Sequence, residues 1–209
     1  MGAFKGKNAK MLTMVVAIAV VIVLSYVAYE KKQSEKATQA EEKTAVSEID
    51  NIIMKNLDEE YPASVREVIK YYYKVLQCMF NGEATDKQVV KLIDKERALF
   101  DKELLKKNEY SEFVKGRNAE IKQYKRKKIK LLKFVIQKSD ETKYWQHDKA
   151  EMASIKAHIY MTGKKSYTDV YQEYVLRKDD KGKWKILSWS NTSGDPQDVE
   201  NKKDEDKED

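Results

Sequence analysis

Residues 150–162 have the sequence AEMASIKAHIYMT, in which two kinds of side chain alternate. Lys156, His158 and Tyr160 share one parity, whereas small and aliphatic residues occupy the other. A period of two is typical of a β-strand with one buried face and one more polar face. The stretch therefore predicts a central strand whose buried face is formed by Ala153, Ile155, Ala157, Ile159 and Met161.

Strand patterns continue on both sides of this stretch. Residues 128–138, 166–178 and 183–192 are rich in β-branched and aromatic side chains, which are favoured in strands. Gly163–Lys165 and Asp179–Gly182 have the composition of hairpin turns and separate the last three segments. Four strands joined by short turns predict an antiparallel sheet.

Helical patterns come before the strands. The first helix begins with a capping box at Ser64, carries an apolar stripe and ends at Asn81-Gly82. A second begins at Thr85 and continues to Leu104, and a third spans Ser111–Lys127. Helices followed by strands indicate an α+β domain, with about three helices packed on one face of a curved antiparallel sheet of about four strands.

An uncharged apolar segment, Met11–Tyr29, precedes the domain. Its nineteen residues match the ~20 needed to span a bilayer and exceed the ~7–15 of a signal peptide. Three lysines lie before it and three soon after it, so positive charge alone does not set the orientation. An N-terminal anchor ahead of a large domain usually exports that domain. We therefore expect residues 1–10 in the cytoplasm and the C-terminal domain outside the cell.

The amino-acid composition of the remaining segments predicts the boundaries of the domain. Residues 30–60 contain no glycine or proline, which predicts a helical stalk whose later part docks on the domain. The domain itself is expected to span residues 61–194. Residues 195–209 contain eight acidic residues and three lysines with almost nothing apolar, which predicts a disordered acidic tail.

Cysteine and histidine are scarce, with one Cys and two His in the chain. A single cysteine excludes an intramolecular disulfide and a zinc site built on several cysteines. Cys78 lies within the apolar pattern of the first helix, which predicts a buried structural thiol. We expect no metal and no cofactor.

Two segments resemble the ketosteroid-isomerase-like, or nuclear-transport-factor-like, superfamily of cone-shaped α+β domains. They are YPASVREVIKYYYKVL at 61–76 and YVLRKDDKGKWKILSW at 174–189, the second with the Gly-x-Trp-x-Ile pattern frequent in that superfamily. The resemblance extends from Tyr61 to Thr192. More narrowly, the chain resembles membrane-anchored members of unassigned function in Gram-positive bacteria. It implies a sheet wrapped around a pocket, in a fold that serves enzymes, ligand binders and interaction modules alike.

Five side chains on the polar parity of the two central strands form a candidate pocket site. In the enzyme branch of the resembled superfamily, a carboxylate in an apolar cone removes a proton and a phenol or acid stabilises the oxyanion. Charged neighbours on the same parity indicate a solvated face instead. A two-residue loop at Gly163 would place His158 opposite Asp169, and a shifted turn would place Tyr171 there. The candidates are His158, Tyr160, Asp169, Tyr171 and Glu173.

A second candidate surface is strongly basic. From Lys115 to Lys138, ten basic residues accompany Glu120 as the only acidic one. This charge suits anionic lipid or wall polymer, nucleic-acid phosphates, or a solvated helix end without a dedicated partner. Export of the domain makes nucleic acid the least favoured of these. The candidates are Lys122, Lys125, Arg126, Lys127, Lys128, Lys130 and Lys133.

Three functions are consistent with these features. The leading expectation is a noncatalytic binding or scaffolding module of a bacterial cell envelope, held in the bilayer by Met11–Tyr29. Its partner would be an envelope protein or a second copy of the chain. The first alternative is a pocket enzyme or small-ligand binder that uses the polar face of the sheet. The second is a cytoplasm-facing protein whose basic segment binds anionic lipid or nucleic acid.

Overall fold

The computed structural model describes residues 48–163 and 167–192, all of which belong to one compact unit, Ala45–Asp209. The unit has the predicted α+β class, with helices against one face of an antiparallel sheet. None of the helices within those two ranges is long and apolar enough to cross a membrane. The predicted span Met11–Tyr29 and the predicted tail 195–209 lie outside the described residues.

Four α-helices are present in the described ranges, together with a helical segment at residues 48–54. The first α-helix shows half of the predicted capping box, in which the Ser64 hydroxyl accepts a hydrogen bond from the Glu67 N–H at 3.2 Å. The Glu67 carboxylate lies 3.5 Å from the Lys70 ammonium. The helices are α1 (Val65–Phe80), α2 (Asp86–Arg97), α3 (Lys102–Lys107) and α4 (Tyr110–Lys127).

The second predicted helix ends at Arg97, earlier than expected. The Leu99 carbonyl accepts a hydrogen bond from the Ile186 N–H at 2.8 Å, and the Asp101 N–H donates to the Ile186 carbonyl at 2.8 Å. Asp101 then forms the N-cap of α3. Hydrogen bonds to a strand that is distant in sequence therefore replace the last turns of the predicted helix. The helical spacing of apolar residues in this segment does not reveal that replacement.

The sheet has five antiparallel strands, one more than predicted. The order is β1-β3-β4-β5, and β2 pairs with the part of β3 that β1 leaves unpaired. Asp148 and Lys149 join β2 to β3 with positive φ angles of 47° and 65°, which suits a two-residue hairpin turn. The strands are β1 (Lys130–Ile136), β2 (Lys143–His147), β3 (Ala150–Thr162), β4 (Tyr167–Lys178) and β5 (Trp184–Asn191).

Helix α1 packs on the sheet and forms the centre of the core. Its rings contact those of the strands, with Tyr72 edge-on to Tyr174 at 5.8 Å and Tyr73 stacked on Phe134 at 5.1 Å between ring centres. Cys78 is buried, as predicted. Burial raises the pKa of its thiol to about 12, which keeps the sulfur protonated and unreactive at neutral pH.

The chain before Tyr61 is part of the same core. Ile49, Ile52 and Leu57 are buried. The Tyr71 hydroxyl donates to the carbonyl of Ile52 at 3.1 Å, whereas Glu48, four residues earlier, contacts the next turn of α1. Residues 48–54 therefore run antiparallel to α1, and the end of the predicted stalk is packed on the domain.

An extra residue in β5 determines which face Trp189 occupies. Strict alternation from Trp184 would place the two tryptophans on opposite faces of the sheet. However, Ile186 and Ser188 pair with consecutive residues of β4, so Leu187 is a bulge residue. Trp189 consequently faces the helices rather than the other side.

Candidate functional site

A cavity of about 430 Å³ lies between α1, α4 and the helix-facing side of the sheet. Leu131 in β1 and Trp189 in β5 line it, and each lies next to a bulge in its strand. Bulges bend a strand and increase its twist, so they help to curve the two outer strands around this space. Most of the remaining wall is aromatic or aliphatic, including Tyr72, Phe80, Tyr124 and Ile159.

Arg117 brings a charge to the helical wall of the cavity. Its side chain is only 11% exposed and forms two hydrogen bonds to the buried carboxylate of Glu96, one of them 3.2 Å long from Nε. A third bond of 2.5 Å reaches Glu120. The guanidinium carbon lies 5.4 Å from the ring centre of Phe80 and 5.2 Å from that of Phe113. Pairing and packing together hold the cation in one position.

The pairing changes the proton affinities of both partners. Burial raises the pKa of Glu96, and the neighbouring Arg117 opposes that rise. Burial alone would lower the pKa of Arg117, but the nearby carboxylates raise it, so the guanidinium stays charged. Of the two carboxyl groups that contact Arg117, that of Glu120 is the more accessible, because its side chain is 40% exposed.

A hydrogen-bonded network forms the sheet side of the cavity. The Tyr73 and Tyr174 hydroxyls lie 2.6 Å apart, and both contact the Gln172 side-chain oxygen, at 3.1 Å and 2.7 Å. The Gln172 amide nitrogen donates to the Asn191 side-chain oxygen at 3.3 Å. Burial raises the pKa of Tyr73 and of Tyr174 well above the ordinary phenol value. Both phenols therefore remain protonated at neutral pH.

The five residues predicted as a pocket site lie together on the other face of the sheet. Of the two registers considered, the second is observed, with His158 opposite Tyr171 and Tyr160 opposite Asp169. The His158 ring centre lies 4.0 Å from the ring centres of both tyrosines. Its Nε2 contacts Asp169 diagonally at 3.0 Å. Glu173 follows two residues further along β4 on the same face.

The surroundings of His158 favour a structural role. Its side chain is 4% exposed, and Nδ1 is buried without a hydrogen-bond partner among the described residues. An ionised carboxylate only accepts hydrogen bonds, so Nε2 must carry the proton that it shares with Asp169. That hydrogen bond lowers the pKa of Asp169. Neither ring nitrogen is accessible to a ligand, and none of the five candidates lines the cavity.

The seven predicted basic residues are all exposed. They occupy the last two turns of α4, the connection after it and β1. Lys128 ends α4 in the left-handed conformation, with φ of 55°, and its N–H donates back to the helix. These residues could be grouped from the sequence alone because they are nearly contiguous in the chain.

The cavity residues were not singled out from the sequence, although two patterns point to them. Arg117 lies at helical spacing between Phe113 and Ile121, on the apolar stripe of α4. Gln172 has the parity of Tyr174, on the buried face of β4. A charged or amide side chain at a core position needs a fixed partner, so such interruptions mark internal polar sites.

Comparison with known proteins gives a family but no activity. Among curated proteins, none matches the chain. A family model, described as a domain of unknown function (DUF6715), matches residues 1–189. The matched range contains the apolar segment Met11–Tyr29, all four helices and the strands as far as Trp189. The chain therefore belongs to the DUF6715 family.

Proposed function

We propose that this protein is a noncatalytic, membrane-anchored module that binds a small ligand in the cavity between α1, α4 and the sheet. The observation that carries the proposal is the combination of aromatic walls with a few fixed polar groups. Ligand sites are typically concave and mostly apolar, with a small number of placed polar groups. The volume of about 430 Å³ also lies within the usual range of ~300–1,000 Å³.

Binding is favoured over catalysis because the ionisable groups at the cavity are already engaged. Arg117 donates to two carboxylates, and Tyr73 is hydrogen-bonded to Gln172 and Tyr174. General acid–base chemistry needs an accessible group whose pKa lies near the working pH. Burial moves the pKa of Tyr73 away from neutrality, which makes it a positioning group instead.

The cavity best fits a compact, apolar ligand that carries an amine. Glu120 uses one carboxylate oxygen for Arg117, and its second oxygen has no partner among the described residues. Tyr72, Tyr124 and Trp189 line the same space. Aromatic faces and a carboxylate together favour a cation with an apolar body.

The proposal includes the location of the domain. The apolar segment Met11–Tyr29 would hold the chain in the bilayer with the domain outside the cell. The curved sheet and its cavity support the resemblance to cone-shaped domains of the ketosteroid-isomerase-like superfamily. An envelope protein or a second copy of the chain stays a prediction for the macromolecular partner.

Thermal unfolding of the full chain in nanodiscs tests the ligand proposal. A compound that binds the folded state raises Tm by mass action. Arylalkylamines, which are cationic at neutral pH, are expected to raise Tm saturably, and matched arylalkyl carboxylates to raise it less. Val170→Trp should abolish the effect because Val170 lines the cavity. Val175→Trp is the matched control, since it is also half-buried in β4 but faces away from the helices.

Two results would overturn the proposal. One is the absence of a saturable shift with any amine. The other is an undiminished shift in Val170→Trp. Trp189→Phe, a smaller change in the same wall, provides a second variant if Val170→Trp does not fold, and its shift should be reduced. A stronger shift with carboxylates than with amines would contradict the assigned ligand class.

A further inference from the structure

The end of α4 and the start of β1 form a concentrated cationic surface, here called the basic end. All of its side chains are exposed, and they come from three successive parts of the chain, namely the end of α4, the connection after it and β1. It consists of Lys122, Lys125, Arg126, Lys127, Lys128, Lys130 and Lys133.

The cations of the basic end are not compensated by carboxylates. Within residues 48–163 and 167–192, none of its seven side chains forms an ion pair, whereas half-buried Lys70 and Lys74 and exposed Lys115 each lie within 4 Å of a carboxylate. Glu120, the acidic residue nearest in sequence, pairs with Arg117 rather than with any of the seven. Uncompensated charge of one sign produces a field that attracts an anionic surface.

The chain enters the described unit at the same end. Asp50 accepts a hydrogen bond from Gln88, which lies just after the connection between α1 and α2. In that connection, the Cε atom of Lys125 lies 3.8 Å from the position that a Cβ on Gly82 would occupy. The entering chain therefore contacts the first turn of α2, and the basic end lies against the connection that leads into that turn.

We propose that the basic end rests on the anionic surface of the bilayer that holds the N-terminal segment. The inference rests on the membrane anchor in the proposed function. Residues 30–47 separate the apolar segment from the entry point, and eighteen residues reach at most ~60 Å even when extended. A tether of this length keeps the basic end at a high effective concentration near the membrane.

The energetics suit a reversible contact. A lysine or arginine close to an anionic membrane contributes ~1 kcal/mol, and the attraction falls off within a Debye length of ~8–10 Å. Several residues engaged together would orient the domain, and salt would release it. Nucleic acid or wall polymer would meet the same charges, but the position of the entry point favours the lipid surface.

Lysine labelling of the full chain in nanodiscs tests this docking. One set of discs contains phosphatidylcholine alone, and the other also contains phosphatidylglycerol. Acylation of the basic-end lysines, measured by mass spectrometry, should be several-fold slower in the anionic discs, and high salt should remove the difference. The control lysines Lys102, Lys106, Lys107 and Lys181, all exposed, should react equally in both.

Matched variants separate docking from general electrostatics. Replacing residues 125–128 with Gln should remove the lipid-dependent protection of Lys122, Lys130 and Lys133. Replacing the four control lysines with Gln changes the net charge equally and should leave that protection intact. Gln is a good helix former, so the end of α4 is preserved.

Each alternative outcome has a distinct meaning. Equal labelling in the two kinds of disc overturns the docking proposal and leaves the ligand proposal untouched. Failure of the chain to enter discs overturns the anchor itself. Protection by added wall polymer or RNA in neutral discs, without protection by anionic lipid, replaces the lipid with that polymer as the occupant.

Discussion

Glu96 is fully buried, and the guanidinium of Arg117 is its charged partner. Neither charge would be stable alone at these positions, because an isolated ion in a low-dielectric interior loses most of its hydration. The pair joins α2 to α4, and its Arg117 member also lines the cavity. It therefore fixes one polar group of the cavity wall as well as linking the two helices.

Replacement of Glu96 by Gln should destabilise the domain strongly. The change leaves Arg117 charged and largely buried beside a neutral amide, and breaking a buried pair in this way typically costs ~3–5 kcal/mol. Equilibrium denaturation of the full chain measures the loss. Glu120→Gln is the control, because that partner is 40% exposed and should contribute less than ~1 kcal/mol. Similar losses in the two variants would contradict the role assigned to Glu96.

Parity in the sequence predicted which face His158 and Asp169 share, but not how they would be paired. Thr162 pairs with Tyr167, so the loop between β3 and β4 contains four residues rather than two. The longer loop moves Tyr171 opposite His158, and Asp169 is reached diagonally. The face of the sheet that a residue occupies follows from its position within its own strand. The residue opposite it on the next strand depends on the turn that joins the two strands.

Bulges explain where the alternation of the strands failed to predict the cavity wall. Leu132 in β1 and Leu187 in β5 are each an extra residue against a regular partner strand. Leu131, directly before the first of them, and Trp189, two residues after the second, both line the cavity. A bulge is favoured by pairing with a strand that is distant in sequence and by the curvature of the sheet. The period-two pattern of either segment therefore does not indicate where its bulge lies.

The end of α1 was predicted correctly, because its chemistry is local. Asn81 forms the C-cap, and Gly82 follows with φ of +89°. Glycine adopts positive φ without the steric penalty that a Cβ brings. The Asn-Gly pair therefore indicated the turn without any knowledge of the rest of the fold.

Two glycine substitutions should have opposite effects. Gly82→Ala forces a Cβ into the left-handed region and should destabilise the domain by ~1–2 kcal/mol. Gly116→Ala lies within α4, where an added Cβ meets nothing within 4 Å, and should stabilise it by up to ~1 kcal/mol. Thermal unfolding of both variants checks the pair. Stabilisation by Gly82→Ala would show that the turn has a different conformation.

The order of helices and strands was sufficient to predict the α+β class. It did not predict β2, because all five residues of that strand are exposed and show no alternation of burial. It also did not predict the cavity, which depends on how α4 lies across the sheet. Both features are set by contacts between parts of the chain that are distant in sequence.

The segment ahead of α1 should be essential for stability although it precedes the resembled domain. Ile49 is 1% exposed within the core, and Ile49→Ala should cost ~2–5 kcal/mol through lost burial and a residual cavity. Met54→Ala is the matched control, since that side chain is 81% exposed. Chemical denaturation distinguishes them. Equal, small effects would mean that the segment only lies on the surface.

The antiparallel contact between residues 48–54 and α1 also has a mechanical consequence. A tether that joins the domain at Glu48 transmits any tension directly to this contact. Tension along the axis of α1 would load the Glu48–Lys74 pair, the buried Ile49 and the Tyr71–Ile52 hydrogen bond together, as a shear. Tension across that axis would peel them apart one after another, starting at Glu48. The domain should therefore resist pulling in one direction and yield in the other.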